Sequence, residues 1–144
     1  MRRFAKNVRF AISGIGHLAK SQRSFRIQLF FAVAVIVLSI FAGLSTHEFL
    51  WIVLCVFIVL ILEAINTFVE ELVDLIDRTT NSSARIVKDV AAAAVLLASV
   101  FAVLVGSVVF TNAFFGLSFA YGLLFGIIIT ASLFLLGLLG GGYR

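Results

Sequence analysis

Residues 49–74 read FLWIVLCVFIVLILEAINTFVEELVD. The stretch opens on fourteen apolar residues and then sets Glu63, Asn66, Glu70 and Asp74 at spacings of +3, +4 and +4. At about 100° per residue these four side chains keep to one narrow arc of an α-helix, and at ~1.5 Å per residue the stripe is about 16 Å long. Asp77 falls on or near the same face, whereas Glu71 points roughly 80–100° away. A helix apolar on every side belongs in a membrane or a large core. An ionisable residue inside such a span is costly, and marks a functional site by default.

Outward from this segment the chain stays apolar. Its 144 residues are 62% hydrophobic and 12% charged, with 16 Phe, 11 Gly and no Pro, where a soluble domain would carry about 25% charged residues. No Asp, Glu, Lys or Arg occurs between Val90 and Tyr143. These values exclude a soluble enzyme and a disordered chain. Further spans of about the ~20 residues that cross a bilayer are predicted over residues 27–44, 90–110 and 114–139. In the first of these the polar side chains are Gln28 and Ser39. Turns are predicted at residues 45–48 and 111–113. Before the spans, Phe4, Val8, Ile12, Ile15 and Leu18 recur at helical spacing opposite Arg2, Lys6, Arg9, Ser13, His17 and Lys20. This is an amphipathic helix for the membrane interface, with Ser13-Gly14-Ile15-Gly16 as a potential break. The predicted fold is therefore an all-α membrane protein: an interfacial amino-terminal helix and a bundle of four transmembrane helices. The basic start is too long for a cleavable signal peptide, and the lone Cys55 reads as a small buried hydrophobe.

Charge sets the orientation. Seven of the 11 Lys and Arg lie in the first 26 residues, and Arg78, Arg85 and Lys88 follow the second span. The turns at 45–48 and 111–113 have none. The positive-inside rule puts the amino terminus, the 74–89 connection and Arg144 in the cytoplasm. The basic terminus abuts apolar sequence, so its expected partner is anionic lipid, with no nucleic acid.

Three carboxylates one turn apart repel each other, and a hard cation relieves this. Oxygen donors with an amide among them suit Mg²⁺, which takes much of its shell from water and phosphates. His17 and His47 are too distant in sequence to suggest zinc. Lys88 and Arg85 offer positive charge for phosphates, with Asp89 at the start of the third span. No Gly-rich phosphate loop is present, so a nucleotide is held by another construction. Glu71 and Asp77 also read as members of a solvated ion-pair network, which Glu63 and Asn66, inside the apolar frame, do not.

Glu63-Ala64-Ile65-Asn66-Thr67-Phe68-Val69-Glu70-Glu71-Leu72-Val73-Asp74 resembles the E-x-x-N-T/S-x-x-E-x-x-x-D signature of the bacterial integral-membrane diacylglycerol kinase and undecaprenol kinase family. Lys88-Asp89 followed by Ala91-Ala92-Ala93-Ala94-Val95 resembles its K-D-x-x-x-A-A-V segment, and Arg23-Ser24-Phe25-Arg26-Ile27 its E-x-N-F-R-I stretch. The similarity spans roughly residues 5–110. It implies a homotrimer, three spans and an interfacial helix per subunit, and transfer of the γ-phosphoryl group of Mg·ATP to a lipid hydroxyl at the cytoplasmic face of the bacterial cell membrane. By the same resemblance Glu63 matches the general base, Asn66 and Asp74 polar active-site positions, Glu70 a metal ligand, and Lys88 with Asp89 the nucleotide-contacting pair. The implied domain is residues 1–110 (interfacial helix 1–20; spans 27–44, 49–77 and 90–110), with residues 111–144 as an added helix.

Two positions depart from the family pattern. Gln22 stands where the family usually has a Glu that shares the metal, and an uncharged carbonyl binds Mg²⁺ more weakly unless Glu71 or Asp77 substitutes. The fourth span is outside the minimal pattern; its Gly116, Gly122, Gly126 and Gly137 suit close helix packing. Phe25-Arg26-Ile27, Val73-Asp74-Leu75-Ile76 and the Thr46-His47-Glu48 turn favour undecaprenol as acceptor, with diacylglycerol next. The alternatives are an ion-coupled transporter subunit, with Glu63 and Glu70 as a relay, or a catalytically weakened kinase homologue.

Overall fold

The computed structural model describes residues 2–76 and 82–140. Asp77, Arg78 and Arg144 lie outside the described residues. Five helices follow in order, α1 (Arg2–Ser21), α2 (Arg23–Phe41), α3 (Thr46–Ile76), α4 (Ser82–Phe115) and α5 (Phe119–Gly140), with no strand among the described residues. The chain is an all-α membrane protein: α2 to α5 are all long and apolar enough to cross a bilayer.

The helix ends follow from local chemistry. α1 runs unbroken through Ser13-Gly14-Ile15-Gly16, so the expected break does not form. It stops at Gln22, whose backbone is extended at φ −102° and ψ 115°. Arg26, in the first turn of α2, donates to the Lys20 carbonyl at 3.0 Å and so closes the open end of α1. α2 begins at Arg23 rather than at 27. It ends in a Schellman turn, with Leu44 N–H donating to Ser39 O at 3.4 Å and Gly43 N–H to Ile40 O at 3.2 Å. Gly43 sits at φ +62°, a conformation in which a Cβ is strained. Ser45 and Glu48 then cap α3 reciprocally: the Glu48 carboxylate accepts from Ser45 N–H at 2.9 Å and from its hydroxyl at 2.6 Å.

Both turns are displaced from their expected places: residues 46–48 already belong to α3, so the first reversal lies at residues 42–45. Residues 111–113 are helical, and the chain reverses at residues 116–118 instead. Thr111-Asn112-Ala113 is polar enough to suggest a loop, but the Asn112 amide reaches the Leu117 carbonyl at 3.1 Å and serves as a cap. Gly116, at φ +62°, supplies the reversal.

Packing runs in chain order: α1 on α2, α2 on α3, α3 on α4, α4 on α5. The tightest approach is between α4 and α5, where a Cβ on Gly122 would lie 2.6 Å from Val108 Cα. The buried apolar residues are few, Phe25, Ala32, Ile52, Cys55, Val95, Ala98 and Val109, as expected where lipid rather than water meets the outer faces. Hydroxyls inside the bundle turn back on their own helices, buried Ser39 onto Val35 O at 2.7 Å and half-buried Ser99 onto Val95 O at 2.9 Å. At 31 and 34 residues, α3 and α4 are about 46 and 51 Å long. A hydrocarbon core of ~30 Å cannot hold that length. Both helices therefore project beyond it, at the ends that carry Glu70, Asp74, Arg85 and Lys88.

Candidate active site

The polar stripe of α3 runs from the apolar interior outward. Glu63 is 5% exposed and Asn66 9%; Glu70 is half-buried and Asp74 exposed. The apolar run before Glu63 forces that end of the stripe into the bundle, and helical spacing keeps the rest in line with it.

Each carboxylate has a partner, and the partners come from every neighbouring element. Gln28 of α2 donates through Nε2 to Glu63 Oε2 at 2.9 Å. Asn66 donates through Nδ2 to Glu70 Oε1 at 2.9 Å, one turn along the same helix. Lys88 of α4 reaches across to pair with Asp74 Oδ1. His17 of α1 meets Glu71 at 3.0 Å, so Glu71 does point off the stripe, towards α1. Lys88 and its neighbour Asp89 take different partners. Asp89 lies 3.8 Å from Arg85 on α4, leaving Lys88 to α3.

Among the described residues two buried oxygens stay unpaired, Gln28 Oε1 and Asn66 Oδ1. Gln28 stands beside Glu63 and Asn66 beside Glu70, so each end of this part of the stripe keeps one spare oxygen acceptor, the donor type a hard cation or its bound waters prefer. Among the described residues no three His, Cys, Asp or Glu side chains converge on a common point, and Mg²⁺ asks for fewer, since one or two carboxylates plus phosphates complete its shell. Gln22 is half-buried at the α1–α2 junction, and its side chain caps neither helix. It makes no hydrogen bond to Glu70; the tie between that junction and α3 is His17–Glu71.

The sequence reading assigned no role to Gln28 or His17. Both answer to residues 35 and 54 positions away. The available signal was Gln28 itself, which with Ser39 makes up the polar side chains of that span.

Comparison with known proteins now decides the family. Residues 9–110 match the family described as prokaryotic diacylglycerol kinase. The chain belongs to this family. It is 40% identical over 99 residues to a diacylglycerol kinase of Synechocystis sp., covering 68% of this chain and 57% of that protein. It is 33% identical over 110 residues to an undecaprenol kinase of Bacillus subtilis, covering 76% of this chain and 89% of that one. The chain therefore spans little more than half the length of the Synechocystis relative. No solved structure matches it significantly. α5 lies outside the matched residues, while every residue of the polar stripe lies inside them.

Proposed function

We propose that the chain is a lipid kinase that transfers the γ-phosphoryl group of Mg·ATP to a lipid hydroxyl, undecaprenol first and diacylglycerol next. The observation that carries this reading is the graded stripe: a nearly dry Glu63 at one end and, about 16 Å away, Lys88 drawn onto Asp74 at the wet end. Such a line suits a substrate whose reacting hydroxyl comes from the membrane and whose partner comes from water. In this scheme Glu63 takes the proton of the lipid hydroxyl. The freed oxygen bonds to the γ-phosphorus as the bond to the β-phosphate oxygen breaks, and ADP leaves. Lys88 exchanges Asp74 for nucleotide phosphates, with Asp89 and Asp74 framing it. Glu70, steadied by Asn66, would hold Mg²⁺, and the ion would supply positive charge against the phosphates. Phosphoryl transfer asks for little beyond this positioning and charge neutralisation.

Undecaprenol is supported by the Phe25-Arg26-Ile27 and Thr46-His47-Glu48 details and by the match along 89% of the Bacillus relative. The higher identity to the Synechocystis diacylglycerol kinase keeps diacylglycerol in second place. The basic α1 and the absence of Lys and Arg from the two turns support an active site on the cytoplasmic side of the bacterial cell membrane. Chain-order packing leaves long apolar flanks such as those of Phe30, Phe57 and Leu97, consistent with assembly as a homotrimer.

The test is direct. Purified protein in mixed micelles with Mg²⁺ and labelled ATP is given undecaprenol or diacylglycerol. Phosphorylated lipid is expected with the native chain and loss of at least 100-fold with Glu70→Ala or Lys88→Ala, as for removal of a positioned charge in an active site. A folded native protein that labels neither lipid sinks the reading.

A further inference from the structure

We infer that Gln28 is a positioning residue for the Glu63 carboxylate, holding one of its oxygens so that the other is presented to the acceptor hydroxyl. The inference rests on the reading of Glu63 as the base and adds to it a residue on a different helix.

Three observations carry it. Phe25 and Ala32, buried residues of α2, bracket Gln28 at −3 and +4, so helical periodicity turns position 28 towards α3. Its Nε2 donates to Glu63 Oε2 at 2.9 Å, and Glu63 Oε1 accepts no hydrogen bond from the described residues. Gln28 Oε1 is buried and unpaired. The orientation of the amide follows from chemistry, because an ionised carboxylate offers acceptors alone and only the NH₂ side can answer it.

A purely structural role accounts poorly for the pair. Holding α2 on α3 within an apolar frame is done at lower cost by Leu or Met, which bury no orphaned carbonyl. The arrangement instead spends the polar group of α2 on one oxygen of one carboxylate. Nor does another charge perform the task. On α2, Arg23 is over one turn nearer the helix start and Arg26 donates to the Ala19 and Lys20 carbonyls. On α4, Lys88 is committed to Asp74 and Arg85 to Asp89. On α3 itself Glu70 accepts from Asn66, and Glu71 meets His17 of α1. Glu63 is left to Gln28.

The test uses the full chain in micelles and three variants. Gln28→Met keeps size and shape but removes donor and acceptor; Gln28→His keeps an N–H donor; Glu63→Gln removes the base. Expected are a fall in kcat of roughly 10- to 100-fold for Gln28→Met, as for a misplaced catalytic group, with KM for ATP within about twofold of native. Partial recovery is expected in Gln28→His. Infrared difference spectra supply a readout independent of turnover: the carboxylate stretching band that disappears in Glu63→Gln should shift in Gln28→Met. Gln28→Met with native kcat and an unmoved band overturns the inference, and a melting temperature lowered with kcat unchanged does so equally, since it leaves Gln28 only a structural clamp. Glu63→Gln that retains activity overturns the base reading instead, and this inference with it.

Discussion

Single side chains here are informative because polar groups are scarce. Gln22 is the sharpest case. If the missing carboxylate limits metal binding, Gln22→Glu should lower the Mg²⁺ concentration for half-maximal activity and raise turnover at low Mg²⁺. One added charged ligand is expected to be worth about tenfold in apparent affinity, or ~1.4 kcal/mol. A Mg²⁺ titration of lipid phosphorylation reads this, and an unchanged curve would mean that residue 22 is not in the metal's shell. Glu63 shows the limit of reading residues singly: its position in an apolar run marked it as costly, but the Gln28 amide that makes its burial tolerable comes from another helix.

At the scale of helices, ends and close approaches matter most. The polar residues 45–48 marked a break between two spans, but they form the capped start of α3, and the reversal itself falls on Gly43 just before them. The α4–α5 reversal was not read correctly, since Asn112 caps a turn four residues beyond the polar triplet. The α4–α5 contact gives a test of packing. Gly122→Ala sets a methyl 2.6 Å from the Val108 backbone, whereas Gly106 has nothing within 4 Å. The first should destabilise the protein by about 1–3 kcal/mol, the usual range for overpacking, and Gly106→Ala should leave stability unchanged or raise it, as a helical Gly replaced by Ala does. Thermal unfolding in detergent measures both. Equal melting temperatures for the two variants would show that α5 does not press on α4 as described.

At the scale of the whole molecule, orientation is the testable property. In a Cys55→Ala background, Lys20→Cys, in the last turn of α1, and His47→Cys, in the first turn of α3, flank the two ends of α2. The positive-inside rule predicts that a membrane-impermeant maleimide labels His47→Cys from outside intact cells, and Lys20→Cys only after the membrane is opened. The reverse pattern would move the stripe to the other face and remove its access to cytoplasmic ATP. The same scale explains why so few residues are buried. Helices stacked in chain order expose broad flanks, and in a bilayer those flanks meet lipid or other copies of the chain at no hydrophobic cost.

Hydropathy, helical spacing and the position of charges by themselves determined the membrane class, the four long apolar helices, the amphipathic first helix and the Glu63–Asn66–Glu70–Asp74 face. All of these are properties of one helix or of composition, and need no knowledge of what lies beside it. Tertiary structure alone decided the partners: Gln28 for Glu63, Lys88 for Asp74, His17 for Glu71. These pairs join residues 35, 14 and 54 positions apart. Periodicity fixes which way a side chain faces on its own helix, but the rotation and depth of the neighbouring helix come only from packing.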